Sequence, residues 1–179
     1  MIGMKTCQLV LSRLLPKTGQ IDVYQAGDDG TYQAGWWRGK TVANNRTRFI
    51  AKTIGGDDVV IDRATSLIWA ADGTAAGCNN GSTITWSNAI IYAEGLTFAG
   101  FSDWRVPNIR ELMSILDYNE YMPTIQDPPF THTKSNIYWS STTSKNNDLV
   151  VWYVNFLEGI ITTTAKTGLR YVRVVRGGL

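Results

Sequence analysis

The pattern of apolar and polar positions is clearest between residues 101 and 116, where a polar turn leads into an amphipathic segment. Asn108 stands just before the apolar run and Glu111 follows it by three residues, which is the spacing of a capping box at a helix N-terminus. The apolar positions behind this cap recur at helical spacing, and they are Ile109, Leu112, Met113 and Leu116. The pattern therefore predicts a helix with one buried face over residues 109–116.

A second helix of about ten residues is predicted between Thr85 and Gly95. Thr85 is a favourable N-cap and Gly95 is a favourable helix stop. The apolar side chains that share one face of this segment are Trp86, Ala89, Ile90 and Ala93. The chain therefore has two short helices in its middle third.

The first half of the chain otherwise predicts short strands and turns. Residues 59–61 and 67–69 are rich in Val, Ile, Leu and Trp and flank a polar connector, so they predict a hairpin. Residues 16–48, 70–83 and 118–134 contain clusters of Gly, Asn, Asp or Pro and predict irregular structure.

The C-terminal third predicts an antiparallel β-meander with a polar tip at residues 144–148. The strand patterns cover residues 137–143, 150–157, 160–161 and 169–175. Two helices followed by this meander indicate one α+β domain over residues 16–179, preceded by an N-terminal extension over residues 1–15.

Alternation along the predicted meander divides its side chains between a core face and an outward face. The residues assigned to the core are Trp139, Trp152, Val154 and Phe156. The outward set is rich in Tyr, Ser, Asn and Thr, which are typical of adaptable protein-binding surfaces, although a solvated β-surface has the same composition. The candidate ligand-binding residues are Tyr138, Ser144, Asn146, Asn147, Asp148, Tyr153, Asn155, Glu158, Thr162 and Thr164.

Two clusters of charged residues favour structural roles. Asp103, Trp104 and Arg105 combine an anion, an indole and a guanidinium, which suits a loop held by a charge-assisted hydrogen bond over a packed ring. Asp28 and Asp29 offer hard oxygen atoms, but one such pair lacks the six to eight ligands that calcium takes. A solvated turn is the favoured interpretation of this pair.

The charge balance narrows the classes of partner. The 17 Lys and Arg residues against 15 Asp and Glu residues give a net charge of +2. No basic run follows a predicted helix or strand, so we do not expect a nucleic-acid partner. No segment approaches the roughly 20 apolar residues of a membrane span, and Arg13 interrupts the apolar opening, so we predict neither membrane insertion nor a clear signal peptide.

The sequence offers little material for catalysis or metal binding. Cys7 and Cys78 are the only cysteines and His132 is the only histidine, so one chain cannot assemble a multi-ligand zinc site from them. The two cysteines could form a disulfide or stay free. Paired carboxylates, a nucleophile with a base, and a phosphate-binding glycine loop are all missing. We therefore expect a protein that is not an enzyme, with no cofactor and no metal.

A series of motifs runs through the chain in a fixed order. The motifs lie at residues 15–20 (LPKTGQ), 27–30 (GDDG), 66–69 (SLIW), 85–90 (TW with AI), 102–112 (SDWRVPN with EL), 138–142 (YWSST), 152–159 (WxVxFxxG) and 171–176 (YVRVVR). This succession resembles the Lcl C-terminal-like domain family of bacteria and phages, over nearly everything from about residue 15 onward.

The resemblance implies a C-type lectin-like fold, in which two helices pack on small antiparallel sheets and the C-terminal meander serves as a display surface. It implies an adhesin tip or a variable ligand-binding protein of a diversity-generating retroelement, in which adenine-directed mutagenesis replaces residues of the last sheet. The Asn, Thr, Ser, Tyr and Asp content of residues 136–164 is compatible with such replacement. Ala93 stands where many relatives have Cys, which weakens the case for a family disulfide to Cys78.

Relatives also suggest a homo-oligomer, as a trimer, and an extracellular, cell-surface or virion-associated location. Two ligand classes stay open. A receptor-binding protein would contact a protein target, whereas a calcium-independent lectin-type adhesin would stack an exposed Tyr or Trp on a sugar or bind sulfated glycosaminoglycans through basic residues. The basic residues available near the meander are Lys145, Lys166, Arg170 and Arg173.

Overall fold

The computed structural model describes residues 15–35 and 48–177 of the 179-residue chain. The helices are α1 (Asp29–Tyr32), α2 (Trp86–Glu94), α3 (Ile109–Ser114) and a 3-10 helix over Ala76–Gly81. The strands are β1 (Phe49–Ile54), β2 (Asp57–Asp62), β3 (Ile68–Ala70), β4 (Ile137–Thr143), β5 (Val150–Asn155), β6 (Ile160–Ala165) and β7 (Val175–Arg176). They form two antiparallel sheets, ordered β1-β2-β3-β7 and β4-β5-β6. The predicted α+β class is confirmed.

Helix α3 begins at the predicted capping box. The Asn108 side chain accepts from the Glu111 amide at 2.9 Å, and the Glu111 carboxylate accepts from the Asn108 amide at 2.8 Å. Leu112 is fully buried as expected, but Met113 is 40% exposed and Ile115 is buried in its place. The helix ends at Ser114, so the residues after it leave the helical phase on which that expectation rested.

Helix α2 also lies where it was predicted. Thr85 takes the N-cap position, although its side chain makes no capping hydrogen bond, and Gly95 takes the C-cap position. Ala89 and Ala93 are fully buried, which lets the helix approach the second sheet closely. The Trp86 indole donates to the Ser140 carbonyl at 2.8 Å and ties the start of α2 to β4.

The first sheet has one strand more than the sequence predicted. Strands β2 and β3 are the predicted hairpin, but β1 precedes them and pairs with β2 over six residues. The β1–β2 turn is Gly55–Gly56, and both glycines have positive φ. Alternation is weak in β1, where Ala51, Lys52 and Thr53 are all exposed, so the pattern of apolar residues did not reveal this strand.

Strands β4, β5 and β6 confirm the predicted meander, but its closing strand was predicted wrongly. Tyr171 makes only a single parallel bridge to Tyr138 on the outer edge of β4. The chain then leaves this sheet, and Val175 and Arg176 pair with β3 of the other sheet. Residues 169–175 therefore connect the two sheets, because β-propensity favours a strand without selecting its partner.

The meander is covered on both faces. Tyr138 lies opposite Val154 and Trp139 lies opposite Tyr153, so Tyr138 and Trp139 point to opposite faces. Tyr138 and Val154 pack in the cluster that contains Leu112 of α3, whereas Trp139 packs in the cluster that contains the α2 alanines. We call these two sides the α3 face and the α2 face. A sheet that is buried on both sides leaves only parts of each face open to a ligand.

Ion pairs hold the loops around the sheets. The predicted lock at residues 103–105 exists, but each charge pairs with a more distant residue: Arg105 makes two 2.7 Å bonds to Glu111, and Asp103 pairs with Arg176 at 2.7 Å. The hydrogen bond from Arg176 lowers the pKa of Asp103. Trp104 between them is 2% exposed. The predicted structural role of this turn is confirmed.

The most deeply buried ion pair joins Arg48 to Asp62. Its two hydrogen bonds measure 2.9 and 2.7 Å, and the side chains are 3% and 0% exposed. Asp62 also accepts from the Ala64 amide at 2.9 Å and from the Thr65 hydroxyl at 2.7 Å. One carboxylate therefore neutralises a buried cation and shapes the β2–β3 connection.

We expect Asp62→Ala to lower the free energy of unfolding by about 3–5 kcal/mol, because it leaves the Arg48 cation buried without a counter-charge. Urea unfolding measures this loss. Asp103→Ala is the matched control, since its ion pair with Arg176 is partly exposed and should contribute less than about 1 kcal/mol. Equal small losses in both variants would contradict the structural role of Asp62.

Candidate functional site

The candidate binding residues lie along the β5–β6 ribbon, which we define as β5, β6 and the turn over residues 156–159. The polar tip at residues 144–148 precedes β5, and Glu158 lies in the turn at the other end. A six-residue strand spans roughly 20 Å, so one small ligand cannot contact both ends. Tyr153 and Thr162 lie between the ends as cross-strand partners.

Most candidate residues are open to solvent, as the alternation predicted. Exposed residues are Asn146, Asn147, Asp148, Glu158 and Thr162. Half-buried residues are Ser144, Tyr153, Asn155 and Thr164. These nine side chains can contribute to a surface, whereas the tenth cannot.

Tyr138 was predicted to point outward, and this is wrong. It is 1% exposed, its ring meets Phe156 edge-on at 5.0 Å, and its hydroxyl accepts from the Lys134 amide at 2.8 Å. Burial raises its pKa to about 12. The register pairs Tyr138 with the core residue Val154, so it belongs to the packed α3 face.

Trp152 was assigned to the core, and this is also wrong, because 38% of it is exposed. It lies on the α3 face opposite Thr163, two residues before the buried Val154. Helix α3 buries Val154 but leaves Trp152 partly open to solvent. An exposed Trp is the residue type most enriched at binding hot spots, and alternation alone could not find it.

The α2 face of the meander carries a mixed apolar and polar patch near the β5–β6 turn. Cross-strand pairing places its members in two adjacent rows. We call this group the ribbon patch, and it consists of Ile137, Tyr153, Asn155, Ile160 and Thr162. All five are at least partly exposed. The patch is small and convex in chemistry rather than a deep cavity, which suits contact with another surface.

Two candidate asparagines also shape the backbone. Asn155 accepts from the Leu157 amide at 3.0 Å and so supports the β5–β6 turn. Asn147 accepts from the Leu149 amide at 2.9 Å at the tip. Both are local turn bonds of the kind that Asn makes readily. Replacement of either residue therefore alters loop geometry as well as the surface.

Three of the four basic candidates lie near the tip, but Arg173 does not. Arg173 is fully buried, with its guanidinium bonded to the carbonyl oxygens of Ala70 and Ala71. The Lys166 ammonium lies 4.1 Å from the Trp86 ring centre, and the Lys166 amide donates to the Leu149 carbonyl beside the tip. Within residues 15–35 and 48–177, no carboxylate lies at salt-bridge distance from Lys145, Lys166 or Arg170.

The segment at residues 15–20 is a structural strap rather than part of the surface. Thr18 accepts from the Tyr118 amide at 2.9 Å through its carbonyl, and its hydroxyl donates to Asp29. Gly19 has positive φ and lies so close to Asp117 that a Cβ would overlap the carboxylate. The strap thereby packs beside α3, and together they line a groove of about 450 Å³ with Ile161 of β6 at its side.

A family model provides the comparison that assigns this architecture. The model of the Lcl C-terminal domain matches residues 58–176, which takes in both sheets except β1 and both helices α2 and α3. The chain belongs to the Lcl C-terminal domain family. A comparison with curated proteins found no match.

The matched part of this Lcl C-terminal domain contains the buried frame. Trp69, Trp104, Trp139 and Arg173 are its largest fully buried side chains, and each lies in one of the motifs that carried the resemblance. The strap and α1 precede the matched range. The motifs therefore record the interior of the domain, while the ribbon patch falls largely between them.

No metal centre forms among the described residues of this family member: no three side chains of His, Cys, Asp or Glu come together there. Asp28 caps α1 by accepting from the Thr31 amide at 3.0 Å, and bonds from the Tyr24 amide and its neighbours lower its pKa. Cys78 is a buried free thiol whose pKa is raised by burial, and Cys7 lies outside the described residues. His132 is exposed and contacts Asp72 at 3.0 Å.

No helix among the described residues is long and apolar enough to span a bilayer.

The burial of Tyr138 has a consequence for stability at high pH. Its pKa near 12 lies above the unfolded value near 10, so the native state holds this proton longer. Stability that Tyr138 contributes below pH 10 should therefore fall as the pH rises from about 10 to about 12. Urea unfolding at pH 9 and pH 11 measures this difference.

Tyr138→Phe is the matched variant for this experiment, because it keeps the ring and removes the titrating hydroxyl. It should reduce the loss between pH 9 and pH 11 by about 1 kcal/mol, after the general effects of alkali are subtracted. An unchanged pH dependence would show that Tyr138 ionises in the native state and is accessible to water.

Proposed function

We propose that this Lcl C-terminal domain is a non-enzymatic recognition module with a C-type lectin-like scaffold, and that it binds a protein target through the β5–β6 ribbon. The observation that carries the proposal is the contrast between the ribbon and its frame. The side chains of the frame are buried on both faces of the meander, whereas Trp152, Tyr153 and Thr162 reach solvent from the same two strands.

The frame supplies the rigidity that a binding surface needs. Strand β4 is held on one edge by β5 and on the other by Tyr171 and by the Pro107 carbonyl, which accepts from the Ser141 amide at 2.8 Å. Indole bonds from Trp86 and Trp139 add two further ties, each 2.8 Å long. Preorganised residues lose little conformational entropy on binding, so a small surface can still give useful affinity.

The chemistry of the ribbon favours a protein ligand. Tyr153 and Trp152 provide broad contact areas, one on each face, and Thr162 and Asn155 provide adaptable hydrogen bonds. Ile160 adds an exposed apolar side chain to the patch. This mixture resembles the aromatic centre and polar rim of a protein interface more than a site for a charged small molecule.

Trp152→Ala and Tyr153→Ala test this proposal separately, because the two residues lie on opposite faces of one strand. If the ribbon binds the target, at least one substitution should weaken capture of that target by about tenfold or more. A binding partner selected from a display library of target-surface proteins, with affinities measured by interferometry, gives the readout. Melting temperatures should change little, because both side chains are partly solvent-exposed.

Ile91→Ala is the matched surface control, since Ile91 is 68% exposed on α2 and lies outside the ribbon. Asn155→Asp preserves the acceptor for the Leu157 amide, so it tests the Asn155 side chain without opening the turn. Retention of full affinity by both aromatic variants, with loss in Ile91→Ala, would overturn the ribbon as the binding surface.

A calcium-independent lectin-type adhesin that binds sulfated glycans is the second candidate. Lys145, Lys166 and Arg170 favour it, because they lie at or beside the tip end of the ribbon without a nearby carboxylate partner among the described residues. A heparin column and a glycan array separate it from the protein-binding proposal. Binding that falls with salt and with Lys145→Glu, yet persists in Trp152→Ala, would favour the glycan.

The finer proposal is that the ribbon belongs to a variable protein of a diversity-generating retroelement, presented outside the cell or on a virion. Exchange at positions such as Asn146, Asp148, Tyr153 and Thr162 would disturb few buried contacts, whereas exchange at Tyr138 would disturb the core. A reverse transcriptase gene and a near-copy of the segment coding for residues 136–176 in the adjacent DNA would support it. Variation that includes Tyr138 would contradict it.

A further inference from the structure

The outer edge of β6 is a free hydrogen-bonding surface among the described residues. Strand β6 ends the order β4-β5-β6 and pairs with β5 over six consecutive residues, while no described strand lies on its other side. We propose that this edge pairs antiparallel with β6 of a second copy of the chain, with the two-fold axis at Thr162. This proposal does not depend on the proposed function.

The backbone geometry identifies the groups that point outward. The Lys166 amide donates to the Leu149 carbonyl at 3.0 Å, so residue 166 faces β5. Backbone groups alternate along an antiparallel strand, so Thr164, Thr162 and Ile160 also face β5. The amides and carbonyls of Ile161, Thr163 and Ala165 therefore point away from the sheet and are available to another strand.

The other sheet edges differ from β6 in a way that supports this assignment. The outer edge strand β1 carries the exposed Lys52, a charge of the kind that prevents edge pairing. The β7 edge is bonded to Arg105, and the β4 edge is bonded to Tyr171. Strand β6 has the sequence IITTTA, with high β-propensity, no charge and no proline. It is the edge that lacks protection.

Symmetry and charge select one register. An antiparallel two-fold pairing must place outward residues opposite outward residues, which allows Ile161 opposite Thr163 of the second copy or Thr163 opposite itself. The first register places Thr162 on the axis and brings Glu158 of one copy to the same end as Lys166 of the other, twice per dimer. The second register shifts Lys166 opposite Ile160 and separates the charges. Charge complementarity therefore favours the first.

The selected register also fits the side chains on both faces. Thr162 would meet Thr162 of the second copy on the α2 face, where two small β-branched residues pack well. Ile161 and Thr163 would meet on the α3 face, beside the groove that Ile161 lines. The product is a continuous six-stranded sheet in which the two ribbon patches lie side by side. A second copy is thus the occupant that matches this edge in hydrogen bonding, shape and charge.

Sedimentation equilibrium of the full chain over roughly 1–200 µM tests the association. We expect a reversible monomer–dimer equilibrium. Thr163→Pro should weaken the dimer by at least about tenfold, because it removes an outward donor from each copy while sparing the bonds to β5. Thr163→Val is the matched control, since it keeps the amide and should keep the dimer. A monomer throughout this range, a trimer, or equal dimerisation of both variants would overturn the proposal.

Cysteine cross-linking tests the register in a Cys7→Ser background. Thr162→Cys should form an interchain disulfide under mild oxidation, because the two copies of this residue are adjacent at the axis. Thr164→Cys is the control, since residue 164 opposes residue 160 and its two copies would be about 13 Å apart along the strand. Equal cross-linking at both positions, or faster cross-linking at residue 164, would contradict this register.

A charge exchange tests the end contacts. Glu158→Lys should weaken the dimer several-fold, and the double variant Glu158→Lys with Lys166→Glu should restore it, because the opposite charges again meet across the interface. A single variant that weakens the dimer without restoration in the double variant would reject the pairing of these two residues. Dimerisation that ignores Thr163→Pro would point instead to another surface.

Discussion

The buried guanidinium of Arg173 is the interaction on which the rest of the structure depends. It bonds to the carbonyl oxygens of Ala70 and Ala71 in the first sheet and to the Thr133 hydroxyl at 2.7 Å in the loop before the second. No carboxylate among the described residues pairs with it, so several neutral acceptors compensate the burial of its charge. This requirement fixes the path of the chain between Tyr171 and β7 and therefore fixes the two sheets together.

That connection explains why the meander offers only a limited binding surface. The chain passes along the outer edge of β4, α2 covers one face, and α3 covers much of the other. What stays open is the β5–β6 ribbon, far from the crossing segment in sheet order. The rigid interior and the exposed ribbon are thus consequences of the same packing. Residues that select a ligand can change at the ribbon without disturbing the ties made by Arg173.

Local chemistry made several features predictable. The capping box of Asn108 and Glu111 depends on bonds within four residues, and the helix stop at Gly95 depends on one residue, so both were confirmed. The candidate site was predictable in part: the tip and Thr162 are exposed as alternation suggests. Tyr138 and Trp152 were misplaced because alternation gives two faces without saying which neighbour covers each one.

The sequence by itself determined the α+β class, the two middle helices, the meander and the motifs of the Lcl C-terminal domain family, because these depend on short-range spacing and residue type. Only the tertiary structure decided that Tyr138 is buried, that Trp152 is exposed and that residues 169–175 leave the meander for the first sheet. The reason is physical: strand register and the partner of an edge are set by contacts between residues far apart in the chain, and those contacts leave no local periodicity.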